Sequence, residues 1–323
     1  MRSAEGDERT GEAMAGFSEL WPLGGVGPWD KSTFMMLPKG GANLVILEGA
    51  SLRELAYDHN KFVLTEVTNE NRLKVEKGLH EEVAAHLRPA LGALKKDSRL
   101  LLVRKRTGTE DNITIGKGGA VKLQVGQYPP RRYSLAFKFM QHDKSTRPSR
   151  WKPEDAAGWL AKLNAIYGAQ ANITFEMAEK PDYFTVETVL PQPIEKKAFE
   201  HHIVAHKSKV TTGKDKATGK DNPPVLTVFL VGKWKSDGGH PNGTTFYDPK
   251  VAVITDEPVH PKEAIAAADP FVLTLVHEVG HWVLYQRGFK GEHHHKRQGI
   301  LHSMYIQSLR FDKQLMNNLN TYG

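Results

Sequence analysis

The chain has 323 residues, enough for two domains that each bury a core, and its 39% hydrophobic and 25% charged residues are the balance of an ordinary globular protein. It contains no cysteine, which excludes disulfides and thiolate metal sites, so any transition-metal site must draw on His, Asp or Glu. The formal net charge of +7 comes from Lys and Arg scattered among Asp and Glu; this predicts a solvated basic surface with no nucleic-acid partner, and no stretch is apolar for the length of a membrane span.

Residues 1–32 are rich in Gly, Ala and charge, with PLGGVGPW reading as a loop, and are expected to form a loosely ordered lead-in. The opening MRSAEGDERTGEAMAGF is acidic where an export leader would be basic, and it lacks an apolar centre. The expectation is secretion or injection by a route without such a leader, with a cytoplasmic protein or a piece cut from a longer precursor as alternatives. From 33 to 127 come short apolar runs between turn residues: ANLVILEG, NKFVLTEV, NRLKVEKG, SRLLLVRKRTG and AVKLQVGQY. Alternation over Arg72 to Glu76 and over Val121 to Val125 has the two-residue period of half-buried strands, and the spacing predicts a small β-sandwich. GLHEEVAAHLRPALGALKK interrupts it as a short helix. The segment resembles the immunoglobulin-like modules that precede catalytic domains in many bacterial exported proteins, on the strand ending LEG and the later V-x-L-x-V strand.

GQYPPRR, residues 126–132, is the predicted linker, since two prolines stop both helix and ladder. After it YSLAFKFMQH reads as a strand and KPEDAAGWLAKLNAIYG as a helix. Pro153 stands in its first turn, Ala156, Trp159, Leu160, Leu163 and Tyr167 lie at helical spacing, and Gly168 is the expected stop. Strands follow at ANITFEMA, PVLTVFLVGKW and KVAVITDE, and TTGKDKATGKDNPP is a polar loop. The order predicts an α+β fold with a mixed sheet covered by helices over 131–323.

Asp269 before Pro270 is a strong helix start and Gly288 a plausible stop. Between them His277 and His281 are four residues apart, about 6 Å along the axis, so both imidazoles project from one face and can close on one ion. Glu278 is rotated off that line, beside the place where a water on the ion would sit, the arrangement of a metal-assisted hydrolase. The helix, FVLTLVHEVGHWVL, is apolar, and two histidines and a glutamate are awkward to bury there without a ligand or partner.

With this H-E-x-x-H helix the chain resembles the zincin metallopeptidases, and more closely the metzincin-like branch. The resemblance covers about 131–323. It implies a Zn2+ peptidase acting on protein or peptide substrates, with His277 and His281 as ligands and Glu278 as general base. It further implies Met304, in ILHSMY, on a turn beneath the metal and Tyr305 as oxyanion support. Exported bacterial proteases and injected protease toxins both fit.

The metzincin extension would put glycine at 284 and a third histidine at 287, where this chain has Leu284 and Arg287. One of His293, His294 and His295 is then the expected third ligand, and spacing does not choose among them. Glu292 or Asp312 would serve in a glutamate or aspartate scheme, and His302 belongs to the surroundings or the core. His201, His202 and His206 include an i, i+4 pair without a suitably placed carboxylate and read as a surface cluster. His240 reads as a turn residue, with an edge strand after it that would align a peptide by backbone pairing. SMYIQSLRFDKQLMNNLN reads as a closing helix with Ile306, Leu309, Leu315 and Leu319 inward. The alternatives to a peptidase are a catalytically weak zincin-fold binding protein, which Arg287 motivates, and a polyanion binder with a structural metal.

Overall fold

The computed structural model describes residues 16–19, 34–37, 41–92, 94, 99–106, 110–115, 121–142, 150–187, 190, 194–210, 212–214, 221–235, 242–248, 250–256 and 269–289. The chain divides into two compact units, the first ending at Gln127 and the second running on from Tyr128. Among the described residues no helix is long and apolar enough to cross a membrane.

The first unit is strand-rich. β1 (Gly16–Glu19), β3 (Ala42–Glu48), β5 (Phe62–Val67) and β6 (Leu100–Lys105) form one antiparallel sheet in the order β1-β3-β6-β5. β2 (Phe34–Met36), β4 (Leu55–Ala56), β7 (Glu110–Ile115) and β8 (Val121–Gly126) form a second, in the order β2-β8-β7-β4, with β2 parallel to β8. Val45, Leu47, Leu101 and Val103 from the first sheet meet Met35, Ile113, Leu123 and Val125 from the second in one core. Alternate residues of the same strands, Leu44, Leu100 and Leu102, pack on the other face against Val83, Leu87 and Leu91 of helix α2 (Glu81–Gly92). β6 is thus buried on both faces, which is why its sequence is an unbroken apolar run and not an alternation.

One expectation for this unit is corrected. The run from Arg72 to Glu76, read as a strand, is helix α1 (Arg72–Lys77). Asn71 closes a turn after β5, accepting from the Thr68 N–H at 2.9 Å and donating to the Glu66 carbonyl at 2.9 Å, and the Arg, Leu, Lys and Glu that follow are good helix formers. Five alternating residues are too few to tell the two periods apart. β1 pairs along its length with β3, from Gly16 opposite Glu48 to Glu19 opposite Val45.

The second unit is built on a sheet ordered β10-β9-β15-β18-β17: β10 (Ile173–Met177), β9 (Arg131–His142), β15 (Val225–Val231), β18 (Val251–Thr255) and β17 (Gly243–Phe246). The first half of β9 pairs with β10 and its second half with β11 (Asp182–Val186). All these pairings are parallel except that of β17, which runs antiparallel to β18 at the edge. Short pairs add β12 (Ile194–Glu195) to β16 (Trp234–Lys235) and β13 (Gly213–Lys214) to β14 (Asp221–Asn222). β15 and β18 are buried at every residue, as central strands with both faces covered require.

Helices α3 (Asp155–Ala171) and α5 (Pro270–Gln286) cover one face and α4 (Lys196–His206) the other. Trp159 of α3 packs on Phe137, Phe139 and Phe271, and Trp282 of α5 on Tyr133. On the opposite face Phe199 of α4 meets Phe229 and Phe184. The described fold is α+β, with a mixed sheet covered by helices. α3 passes through Gly168, the expected stop, and ends at Asn172 in the left-handed region at φ 54°. Asn164 fixes it to β10 by two bonds with Phe175, donating to its carbonyl at 3.0 Å and accepting from its N–H at 2.6 Å.

Candidate metal centre

α5 begins as its sequence requires: the Asp269 carboxylate accepts the Phe271 N–H at 2.9 Å, and Pro270 follows where no N–H is needed. Its far end is the C-cap Arg287 and then Gly288 at φ 87°. Phe271, Leu275, Val279 and Trp282 are buried, so the polar residues of the middle turn sit in an apolar setting. The Tyr167 hydroxyl of α3, wholly buried and pushed well above its ordinary pKa by that burial, donates to the Val276 carbonyl at 2.7 Å, just before His277.

His277 and His281 face each other. Their rings are 4.6 Å apart at an interplanar angle of 83°, and their Nε2 atoms are 3.0 Å apart. Two nitrogens each about 2.05 Å from one tetrahedral ion lie about 3.3 Å apart, so the observed spacing fits a shared zinc ion with little adjustment. His281 is buried and His277 half-buried.

Glu278 points another way, toward the edge strand. Its Oε2 is 2.6 Å from the Thr245 hydroxyl of β17, which also lies 2.9 Å from the Glu278 carbonyl oxygen. A Cβ on Gly243, two residues earlier on the same strand, would stand 2.8 Å from Glu278 Cγ and 2.9 Å from Oε1. Glycine at 243 is therefore what lets the carboxylate lie against the strand. Burial pushes the Glu278 carboxyl up to about 7, and the hydrogen bond from Thr245 works against that rise.

Of the residues singled out from the sequence, His277, Glu278 and His281 all lie on α5, where the two histidines converge and the Glu278 carboxylate lies against β17. His240, Glu292, His293, His294, His295, His302, Met304, Tyr305 and Asp312 lie outside the described residues, as does the closing helix. Among the described residues no third His, Asp or Glu joins the pair. Leu284 and Arg287 stay on the helix and its cap, Leu284 in the core and Arg287 buried, with its side chain bonded to Tyr133 at the start of β9. The position of the metzincin third ligand therefore faces the sheet. His201, His202 and His206 lie on α4, across the sheet from α5. Of these only His201 is exposed; His202 is buried beside Phe199, so the reading as a surface cluster holds for one residue. Gly243 and Thr245 went unmarked in the sequence, since GTTF carries no motif. The edge strand expected after His240 was the available signal.

No protein-family model matches the chain, and no curated protein matches it in sequence. Among solved structures it is similar to a zinc-dependent peptidase from Methanocorpusculum labreanum, at a TM-score of 0.36 and 12% identity, over 58% of this chain and 100% of that one. It is also similar to metalloproteinase-II from Bacteroides fragilis, at a TM-score of 0.34 and 11% identity, over 89% of this chain and 84% of that one.

Proposed function

We propose that the chain is a zinc-dependent endopeptidase of zincin, metzincin-like type, with its hydrolytic centre on α5. The carrying observation is the convergence of His277 and His281 Nε2 atoms to 3.0 Å one turn apart, with the buried carboxyl of Glu278 between them in sequence. Zinc held by the two histidines and one of His293, His294 and His295 would supply an acidified water and a polarised scissile carbonyl. Glu278 would act as the general base toward that water and as the acid toward the departing amine; a carboxyl raised to about 7 is suited to both roles near neutral pH. β17 holds an extended peptide along its outer edge by backbone pairing. Met304 and Tyr305 keep the roles that the resemblance implies, a methionine turn and oxyanion support.

We further infer that the first unit is immunoglobulin-like. The order β1-β3-β6-β5 opposite β4-β7-β8 supports this, being the A-B-E-D and C-F-G arrangement of that fold with α1 and α2 inserted between D and E. Such a sandwich carries no chemistry of its own and serves to attach the enzyme to a surface or partner, as in an exported or injected protease.

Elemental analysis of the purified native protein, with a casein digestion assay on wild type and Glu278→Ala, tests the reading. The expected result is about one zinc per chain in both and turnover in the wild type alone, reduced in the variant by roughly 10³-fold or more. A native protein free of metal, or a variant that still digests casein, would falsify the assignment.

A further inference from the structure

We propose that Thr245 is a positioning residue for Glu278: its hydroxyl holds Oε2, Gly243 leaves room for Oε1, and the edge strand thereby sets the direction in which the carboxylate faces. The inference rests on the reading of α5 as a hydrolytic centre. A glutamate on a helix has three side-chain torsions and is free to swing, so its own backbone does not fix its carboxylate. Threonine is branched at Cβ and stiff at its first torsion, and the register of Thr245 opposite Ala252 fixes its Cα within the sheet. Its hydroxyl carries one proton and has two acceptors in reach on Glu278, Oε2 at 2.6 Å and the carbonyl oxygen at 2.9 Å, of which the carboxylate is the closer.

The neighbouring threonine shows that the arrangement is particular to one face of the strand. Thr244 accepts the Trp234 indole N–H at 3.0 Å, toward the α4 side, and takes no part at Glu278. Gly243 and Thr245, on the α5 side, are the two that touch it. With Oε2 held by Thr245, Oε1 lies in the space that a Cβ at 243 would fill.

The test uses Thr245→Val and Thr245→Ser in the full chain, loaded with zinc. The substrate is a quenched fluorescent peptide built on the first bond that the wild type cuts in casein. Valine keeps the shape and removes the donor. Expected is a fall in kcat of about 30-fold with KM within about twofold of wild type, zinc stoichiometry unchanged, a lower melting temperature from the lost bond, and recovery of kcat by serine to within about threefold. Crystal structures of both variants give a reading independent of turnover: the Glu278 carboxylate turned off β17 with valine, in its original place with serine. Wild-type kcat together with an unmoved carboxylate in Thr245→Val overturns the proposal while leaving the peptidase reading intact. A wild type that binds no zinc, or whose turnover survives Glu278→Ala, removes the peptidase reading, and the crystal structures still decide whether Thr245 aims the carboxylate.

Discussion

Two pairs of histidines in this molecule have the same spacing and opposite surroundings. On α5, His277 and His281 stand nearly perpendicular with their Nε2 atoms 3.0 Å apart, beside a buried glutamate. On α4, His202 and His206 are nearly parallel, 17° apart in plane, with ring centres 6.3 Å apart. Each finds an aromatic neighbour, His202 on Phe199 and His206 on Phe184. Asp182, whose charge acts on His206, is engaged with Lys138 at 2.8 Å. An i, i+4 spacing brings two imidazoles within reach of each other; what lies beside them decides whether their Nε2 atoms converge or the rings stack.

The largest effect expected from breaking this contrast is on metal and turnover. His281→Ala should take zinc from about one per chain to none and abolish casein digestion, a loss of about 10⁴-fold or more, while His202→Ala leaves both in place. Zinc titration of the two variants checks it, and equal losses in both would erase the difference between the helices. Next is the buried acid. In chelator-treated protein Glu278 holds its proton up to about pH 7 when folded but only to about 4.5 when unfolded. The folded state therefore binds the proton more tightly, and the resulting stability is complete below pH 4.5 and lost as pH rises toward and past 7. Glu278→Gln removes that loss and should be more stable than wild type above pH 7 by up to about 3 kcal/mol, with no difference near pH 4. Denaturant midpoints across that range give the measurement; a gap that widens toward low pH contradicts the burial argument.

A smaller effect is expected at Arg287. Arg287→His restores the residue type that the metzincin pattern has at this position, but the side chain is directed at Tyr133 and the sheet. Zinc affinity should stay within about twofold of wild type, and stability should fall by about 1–3 kcal/mol with loss of the bond to Tyr133. Tighter zinc binding in this variant would mean that α5 unwinds at its end to present residue 287 to the metal.

Elements with punctuation at both ends or continuous burial were legible in the sequence. Asp269, Pro270 and Gly288 bracket α5, and the apolar runs of β15 and β18 mark strands covered on both faces. α1 was not legible, because a five-residue alternation in Arg72 to Glu76 fits strand or helix and the deciding contact is the Asn71 turn. The partners of Glu278 were hidden for a different reason. Gly243 and Thr245 lie on another element, and Thr245 is 33 residues away along the chain, brought to the carboxylate by the register of β17 on β18. Helical periodicity assigns His277 and His281 to one face, but it says nothing of what crosses that face.

The smallest expected effect is on the α4 side, where it tests whether that pair is only packing. Burial, then the charge of Lys138, holds the His206 imidazole below its ordinary pKa. The unfolded chain therefore takes up this proton at a higher pH than the folded one, so the contribution of His206 to stability is present above about 6.5 and lost as pH falls. His206→Gln, neutral at every pH, should match wild type within about 1 kcal/mol at pH 7.5 and lose less stability than wild type on going to pH 5, with zinc content and casein turnover unaffected. Paired denaturant curves at the two pH values read the difference. A steeper acid loss in the variant would mean that His206 is stabilised as a cation, through Asp182 in place of its ring contact with Phe184, and that the acid beside α4 is available to its histidines after all.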